Sequence, residues 1–138
     1  MFVTDEMLTA PVAAGMRARP VLVFRLRRGL AGPGVVALEA VSRVYGGIAL
    51  LEDDVLVAVR LGPVGVSPEG IDLTMEAVLL EVDGQIVDTA TGAAVGYQAI
   101  EGVAAEEGLL VATEGLTGPV AVGSRVAAHF THLGVVTL

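Results

Sequence analysis

The chain contains few side chains that could carry out chemistry. It has no cysteine, which excludes a thiolate nucleophile and a cysteine-ligated zinc ion. It has no lysine either, since all eight basic residues are arginine, and this excludes Schiff-base chemistry and a lysine general base. None of the three serines lies in the G-x-S-x-G turn that presents a serine nucleophile. Proton transfer must therefore come from carboxylates, the two histidines or the two tyrosines.

Glu52 occupies the most informative position among the acids. It follows the apolar run Ile48–Leu51, and burying a carboxylate beside such a run is costly unless it has a partner or a function. A glutamate that points into a desolvated pocket is suited to general acid–base catalysis. The alternative is a turn acid, grouped with Asp53 and Asp54, and the sequence leaves both interpretations open.

The histidines and two further polar residues are candidates for substrate contacts. His129 and His132 lie three residues apart in a strand-like segment, so their side chains should point to opposite faces and cannot bind one ion together. His129 is a candidate substrate contact, although a surface position is the simpler interpretation. Tyr97 and Thr117 could donate hydrogen bonds to a substrate carbonyl or carboxylate, and Tyr97 could instead serve in packing.

Charge is distributed unevenly along the chain. Residues 1–43 contain six arginines and three acids, whereas the remainder contains two arginines and thirteen acids, and the net charge is −8. Nucleic-acid binding requires a concentrated basic surface, and here no aromatic platform accompanies the arginines. We therefore expect no nucleic-acid partner. A solvated arginine face and an anion-binding site both remain possible interpretations.

Length and composition predict one domain over residues 1–138, large enough to bury about 68–70% of its unfolded surface. Although 54% of residues are hydrophobic, no apolar run approaches the roughly 18 residues needed to span a bilayer. The start of the chain lacks the pattern of a secretory signal. We therefore expect a cytoplasmic protein with no membrane partner. The high mean hydropathy of +0.74 favours a homodimer or larger homo-oligomer.

Short apolar segments separated by glycine-rich turns predict a mostly β fold, an antiparallel roll or barrel with one or two short helices. Asp83-Gly84 is the dipeptide typical of a two-residue hairpin turn. Helices are predicted for Val36–Tyr45, ended by Gly46-Gly47, and for Gln98–Glu107. A loop is predicted from Gly62 to Gly70. Strands are predicted at Val21–Leu26, Ile48–Leu51, Val55–Val59, Asp72–Val82, Gln85–Ala90, Leu109–Ala112, Val120–Val122, Arg125–Phe130 and Val135–Leu138.

Three blocks of the sequence resemble one enzyme family. Glu114–Leu138 (EGLTGPVAVGSRVAAHFTHLGVVTL) is similar to the carboxy-terminal strands of the 2-keto-4-pentenoate hydratases, which belong to the fumarylacetoacetate hydrolase superfamily. Gly29–Val35 (GLAGPGV) and Ile71–Val95 (IDLTMEAVLLEVDGQIVDTATGAAV) match in the same order. The resemblance implies the β-roll core of that superfamily without its amino-terminal helical region.

The same resemblance implies that much of the family's catalytic equipment is missing. Counted from the Gly32-Pro33-Gly34 turn, two of the three metal-binding glutamates fall on Arg19 and Val21, and the third falls on Glu52. A divalent ion of the Mg²⁺ type requires several oxygen ligands, so we expect no metal and no cofactor. Arg19 and Arg25 could replace the metal as an electrostatic clamp for an anionic group.

Asp5 and Glu6 match a family segment that contains an active-site acid, although a solvated terminus is the alternative. Taken together, these features suggest a metal-independent biosynthetic enzyme of the lyase or cyclase type, similar to a hydratase. It would act on a small 2-keto-acid-like or polyketide-like substrate through carboxylate acid–base catalysis and positioning. The alternative is a non-catalytic β-roll that binds a ligand or a partner protein.

Overall fold

The computed structural model describes residues 2–27, 40–94, 108–122 and 125–138. These residues form ten strands and one short α-helix, so the predicted mostly β, antiparallel fold is confirmed. The strands are β1 (Phe2–Val3), β2 (Arg17–Leu26), β3 (Val41–Glu52), β4 (Val55–Val66), β5 (Ala77–Val82), β6 (Gln85–Thr91), β7 (Leu110–Ala112), β8 (Val120–Ala121), β9 (Val126–Phe130) and β10 (Gly134–Thr137). Helix α1 spans Asp5–Thr9, and single 3₁₀ turns occur at Pro68–Gly70 and Gly92–Ala94. None of the described helices has the length and hydropathy of a membrane span.

The strands form two antiparallel sheets. The first has the order β1-β7-β2-β3-β4, with β8 also pairing with β2, and the second has the order β10-β9-β5-β6. Strand β2 therefore lies in the interior of the first sheet, paired with β3 along its whole length. Both faces of β2 are buried over Val21–Phe24, which explains why this segment is continuously apolar rather than alternating.

Alternation along β2 divides the buried residues between two clusters. Leu22, Phe24 and Leu26 belong to the main core, which lies between the sheets and includes Leu80 and Ala128 of the second sheet. Val21 and Val23 point to the opposite face, because successive strand residues alternate. There they join a smaller cluster that α1 covers; its members are Val3, Ala49, Val59, Leu110 and Ala112, with Met7 and Leu8 packed against them.

The hairpin turn predicted at Asp83-Gly84 is confirmed, and a second two-residue turn lies at Asp53-Asp54. Asp53 and Asp54 have φ angles of 50° and 61°, and Asp83 and Gly84 have φ angles of 52° and 83°. Positive φ at both central residues is the type I′ geometry, which matches the twist of the flanking strands.

The helix predicted for Val36–Tyr45 is wrong over its described part, since β3 begins at Val41. Val41 and Val44 nevertheless pack in the main core together, because a bulge opposite Arg25 and Leu26 interrupts the alternation of β3 between them. β-Branched side chains pack well in such a strand. The glycines expected to end the helix lie inside β3 instead. Gly46 leaves space for the ring of Phe130, since a Cβ there would lie 2.6 Å from Cε2.

Two other predicted segments have shifted boundaries. The predicted loop from Gly62 to Gly70 is strand up to Val66, with irregular pairing opposite Tyr45. The predicted strand over Asp72–Val82 begins only at Ala77, because Asp72 Oδ1 accepts a hydrogen bond from Thr74 N and closes a turn. The predicted helix Gln98–Glu107 lies outside the described residues.

Candidate functional site

Arg19 lies on β2 directly opposite Ala49 of β3. Because paired residues share a face, its side chain projects on the face of the smaller apolar cluster. Its Nε atom is buried and has no hydrogen-bond partner. The stem of Arg19 packs on Gly115, where a Cβ would lie 2.6 Å from Nε. A partly buried guanidinium is thus held in place by backbone rather than by an acid.

The segment Thr113–Pro119 runs beside β2 and forms a wall next to this arginine. Thr113 N donates to Leu22 O at 2.9 Å, and Leu116 N donates to Pro20 O at 2.9 Å. The buried Thr113 hydroxyl accepts a bond from Leu22 N at 3.1 Å. These bonds fix the segment along β2 before it continues into β8.

Arg17 lies two residues before Arg19 and therefore on the same face of β2. Its side chain is exposed, and Nη2 donates to Pro119 O at 3.2 Å. Thr117 lies between Gly115 and Pro119 in the segment, half-buried, and its hydroxyl donates to Gly118 O at 3.0 Å. We call Arg17, Arg19 and the segment Thr113–Pro119 the arginine site. Of the residues proposed from sequence, Arg19 and Thr117 therefore belong to one region, since Thr117 lies two residues after the glycine that the Arg19 stem contacts.

The arginine site contains one acid, the exposed Glu114, and it forms no ion pair with either arginine. Ion pairs among the described residues join Arg27 to Glu69, His129 to Glu81 and His132 to Glu76, and none involves the two arginines of the site. A buried donor without a partner costs about 1–3 kcal/mol. An anion that accepts from the Nη nitrogens of Arg19 would balance the charge of the guanidinium.

A divalent metal does not fit this site. The described residues contain no group of three or more His, Cys, Asp or Glu side chains that could hold a metal ion. Arg19 and Val21, which occupy the positions that the family resemblance assigns to two metal ligands, offer a cation and an aliphatic group. A guanidinium repels a metal cation and attracts a carboxylate.

Glu52 is exposed at the end of β3, paired with Val55 and adjacent to the Asp53-Asp54 turn. This position corresponds to the turn-acid interpretation that the sequence left open. A catalytic role for Glu52 stays a prediction, and its position does not support a desolvated pocket acid.

Asp5 and Glu6 are exposed in the first turn of α1. Arg60 anchors the end of that helix, since its guanidinium donates to Leu8 O at 3.2 Å and to Ala10 O. The two acids are therefore on an element fixed to the sheet rather than on a free terminus. Their catalytic role stays a prediction.

Arg25 does not join Arg19 in one clamp. It is on the same face of β2, but six residues later, which corresponds to about 20 Å along a strand. Arg25 is exposed, lies 5.8 Å from the centre of the Tyr45 ring and faces Arg43 across the strands. The two arginines therefore form separate features. Tyr97 lies outside the described residues.

Sequence reasoning missed Glu76, the most deeply buried acid among the described residues. Its side chain is 0% exposed, and one oxygen accepts from His132 N at 2.7 Å and from Leu133 N at 3.1 Å. The other oxygen lies 2.7 Å from His132 Nδ1. The sequence predicts a strand that begins at Asp72, before Glu76, whereas β5 begins at Ala77, directly after it.

The histidines have separate partners, consistent with the expectation that they do not bind one ion together. His132 contacts Glu76, and His129 Nε2 lies 2.5 Å from Glu81 Oε2. His129 and Glu81 are both on the second sheet, whereas the arginine site belongs to the first. A role for His129 in substrate binding stays a prediction.

Comparison with solved structures identifies the fold. The chain is similar to 4-oxalocrotonate decarboxylase from Pseudomonas putida G7, with a TM-score of 0.75 and 20% identity over 88% of this chain and 58% of that chain. It is also similar to 5-carboxymethyl-2-hydroxymuconate delta-isomerase from Mycobacterium smegmatis, with a TM-score of 0.74 and 16% identity over 89% and 57% of the two chains. A third similar structure is maleylpyruvate hydrolase from Sphingobium sp. SYK-6, with a TM-score of 0.70 and 15% identity over 94% and 56%.

These neighbours are members of the fumarylacetoacetate hydrolase superfamily, and at 15–20% identity the likeness shows a shared fold. This chain spans less than three fifths of the length of each of the three. No family model matches the sequence, and no curated protein matches it. The narrower resemblance to the 2-keto-4-pentenoate hydratases stays a prediction.

Proposed function

We propose that this chain binds a small organic acid at the arginine site and acts on it as a metal-independent enzyme of the lyase or cyclase type. The observation that carries the proposal is the buried, unpartnered Nε of Arg19. A carboxylate is the partner that a guanidinium binds best, through two parallel charge-assisted hydrogen bonds. The neighbours in fold include enzymes whose names specify organic acids.

Arg19 would supply binding and electrostatic stabilisation together. A carboxylate that accepts from the two Nη nitrogens, which are not enclosed as Nε is, orients the rest of the substrate. The Thr117 hydroxyl lies in the adjacent segment. Negative charge that develops on an enolate oxygen during lyase chemistry would be stabilised by the same guanidinium. The proton-transfer group in this proposal is one of the predicted acids, Asp5, Glu6 or Glu52.

Structures of the decarboxylase contain calcium or magnesium and one structure of the hydrolase contains manganese, whereas our proposal involves no metal. Its reason is the residue types at positions 19 and 21, which cannot supply oxygen ligands. We expect calorimetric titration with Mg²⁺ or Mn²⁺ to show no single site of micromolar affinity. Such a site would refute metal independence while leaving the binding of an organic acid open.

Binding can be tested by titrating the chain with pyruvate and other 2-keto acids in the presence of a chelator. Arg19→Gln should weaken binding by about 10- to 150-fold, because a charge-assisted hydrogen bond contributes about 1.5–3 kcal/mol. Arg125→Gln is the matched control, since it removes one exposed arginine from the second sheet. Equal affinities of Arg19→Gln and the wild type would refute the proposal.

A non-catalytic binding protein is the second candidate, and two observations favour it. Glu52 is exposed, and Met7 and Leu8 of α1 pack on the apolar cluster beside Arg19, where the body of a substrate would otherwise lie. This candidate predicts Arg19-dependent binding of an organic acid without turnover of any 2-keto acid or polyketide-like compound. Product formation detected by mass spectrometry would decide for the enzyme.

We also propose a homo-oligomer, most simply a homodimer. Strand β6 lies at one end of the second sheet, and Ile86 and Val87 on it are 61% and 51% exposed. Exposed apolar residues on an edge strand favour pairing with another chain. Light scattering should give a mass above the 14.0 kDa of one chain, and a monomer at high micromolar concentration would contradict this proposal.

A further inference from the structure

We infer that His132 is a second reactive site of this chain, at which the Nε2 atom accepts an acyl group from an uncharged activated ester and passes it to water. The residue lies in the turn between β9 and β10 of the second sheet. It shares no residue with the arginine site on the first sheet, so the inference does not depend on the proposed function.

The buried carboxylate of Glu76 fixes the His132 ring. The Glu76 side chain is fully buried, whereas that of His132 is 67% exposed. Glu76 Oε2 accepts from the backbone N–H groups of His132 and Leu133, and Oε1 lies 2.7 Å from the ring Nδ1. An ionised carboxylate can only accept, so Nδ1 must donate to it. The lone pair of the neutral ring is then on Nε2, the nitrogen that faces away from the carboxylate.

His129, the other histidine of the chain, has the opposite arrangement. Its Nε2 atom lies 2.5 Å from Glu81 Oε2, so the nitrogen farther from the backbone is the donor. Its lone pair is therefore on Nδ1, next to the Cβ attachment, where the backbone hinders an incoming electrophile. Only His132 combines an exposed ring with a lone pair on the outer nitrogen, and we expect it to be the more reactive histidine.

The reaction would consume only the ester and one water molecule. The Nε2 lone pair attacks the carbonyl carbon, and an aryl oxide leaves with the electrons of the broken C–O bond. Water then attacks the acyl-imidazole and releases a proton to solvent, and the acid leaves as the electrons of the C–N bond return to Nε2. His132 is thus the catalytic residue. Glu76 is a positioning residue, which stabilises the positive ring as a buried aspartate does in a serine-protease triad.

Two observations indicate an uncharged substrate with an apolar group. Among the described residues, no arginine is paired with Glu76 or His132, so a negatively charged substrate would meet a carboxylate without a compensating cation. Exposed apolar side chains flank the turn: Val135 is 45% exposed and Val64 is 38% exposed. Val64 lies close to Gly134, where a Cβ would be 3.3 Å from its Cγ2 atom. An aryl ester fits both observations.

Hydrolysis of p-nitrophenyl acetate by the full chain tests the role of His132, with His129→Gln as the matched control. We expect His132→Gln to lower the protein-dependent rate constant by about tenfold, less than for an enclosed catalytic group because the ring is exposed. His129→Gln should keep the wild-type rate constant. If His132→Gln left the rate constant unchanged, or if His129→Gln lowered it as much, the inference would be wrong.

Glu76→Gln tests the positioning role. Its amide oxygen would accept from the two backbone donors, and the amide NH₂ group would then face Nδ1 and make this nitrogen an acceptor. The ring proton would move to Nε2 and remove the lone pair from the exposed side. We expect the rate constant to fall about as far as in His132→Gln, and nitrogen NMR to place the proton of neutral His132 on Nδ1 in wild type and on Nε2 in the variant.

A wild-type rate constant in folded Glu76→Gln, or a proton on Nε2 of neutral His132 in wild type, would contradict the inference. Should Glu76→Gln not fold, the wild-type tautomer and the two histidine variants decide the question. None of these results affects the proposed function, because binding of an organic acid is measured through Arg19 on the other sheet.

Discussion

Removal of the buried Glu76 carboxylate should destabilise the fold more than removal of its histidine partner. The carboxylate accepts two backbone hydrogen bonds from the turn between β9 and β10, at 2.7 Å from His132 N and 3.1 Å from Leu133 N. It also contacts the His132 ring at 2.7 Å. Glu76 thereby joins the start of β5 to that turn, and this connection lies at the margin of the main core.

The expected magnitudes follow from what each substitution leaves behind. Glu76→Ala removes all three contacts and leaves two backbone donors without a partner, which should cost about 2–4 kcal/mol after the relief of a buried charge is counted. Glu76→Gln keeps an acceptor for both donors and should cost about 1–2 kcal/mol. His132→Ala keeps both backbone bonds, and because the ring is 67% exposed it should cost about 0–1 kcal/mol.

Urea unfolding followed by circular dichroism measures these differences, provided that the slope of the transition is the same for all variants. Glu81→Ala is the control, since Glu81 pairs with His129 at the surface of the same sheet and is 27% exposed. Its cost should be about 1 kcal/mol or less. If His132→Ala cost as much as Glu76→Ala, or if Glu76→Ala stayed within about 0.5 kcal/mol of wild type, the two backbone hydrogen bonds of the Glu76 carboxylate would not stabilise the fold as expected.

Three further predictions concern other positions. Glu52→Gln should change the free energy of unfolding by less than about 0.5 kcal/mol, because the side chain is exposed beside a turn; a larger loss in thermal unfolding would contradict this. Ser67→Ala should raise the pKa of Glu69, which the Ser67 hydroxyl holds below its ordinary value. The stabilisation is present above the unfolded pKa of Glu69 and is lost as pH falls through the folded pKa. NMR titration should therefore give a higher pKa for Glu69 in Ser67→Ala than in wild type, and the free energies of unfolding of the two proteins should become equal in acid. Gly65→Ala should cost about 1–3 kcal/mol in urea unfolding, since a Cβ there would lie 2.6 Å from the Tyr45 ring, and an unchanged midpoint would show that the ring moves freely.

Local sequence determined the strands, the tight turns and much of the fold class. The paired turn residues Asp83 and Gly84 specify a hairpin because positive φ at both positions is available to them. Continuous apolar runs such as Val21–Phe24 specify an interior strand, because both of its faces are covered. These features depend on residues close together in the sequence, so they can be predicted without a structure.

Local sequence does not determine which of the site residues lie near each other. The sequence suggested Arg19, Arg25 and Thr117 as substrate contacts, but strand spacing separates Arg25 from Arg19 by about 20 Å. Thr117 comes beside the two arginines only because Thr113–Pro119 is hydrogen-bonded along β2, some 90 residues earlier in the chain. Gly115 gains its role in the same way, through contact with the Arg19 stem.

Tertiary structure alone decided which polar groups are buried and which are solvated. Glu52 follows an apolar run, yet it is exposed because the strand ends there. Glu76 lies in an alternating segment, yet it is buried because β5 begins one residue later and the turn after β9 closes over its carboxylate. Burial is set by the packing of elements distant in sequence, and desolvation makes a polar side chain costly or useful only after that packing has formed.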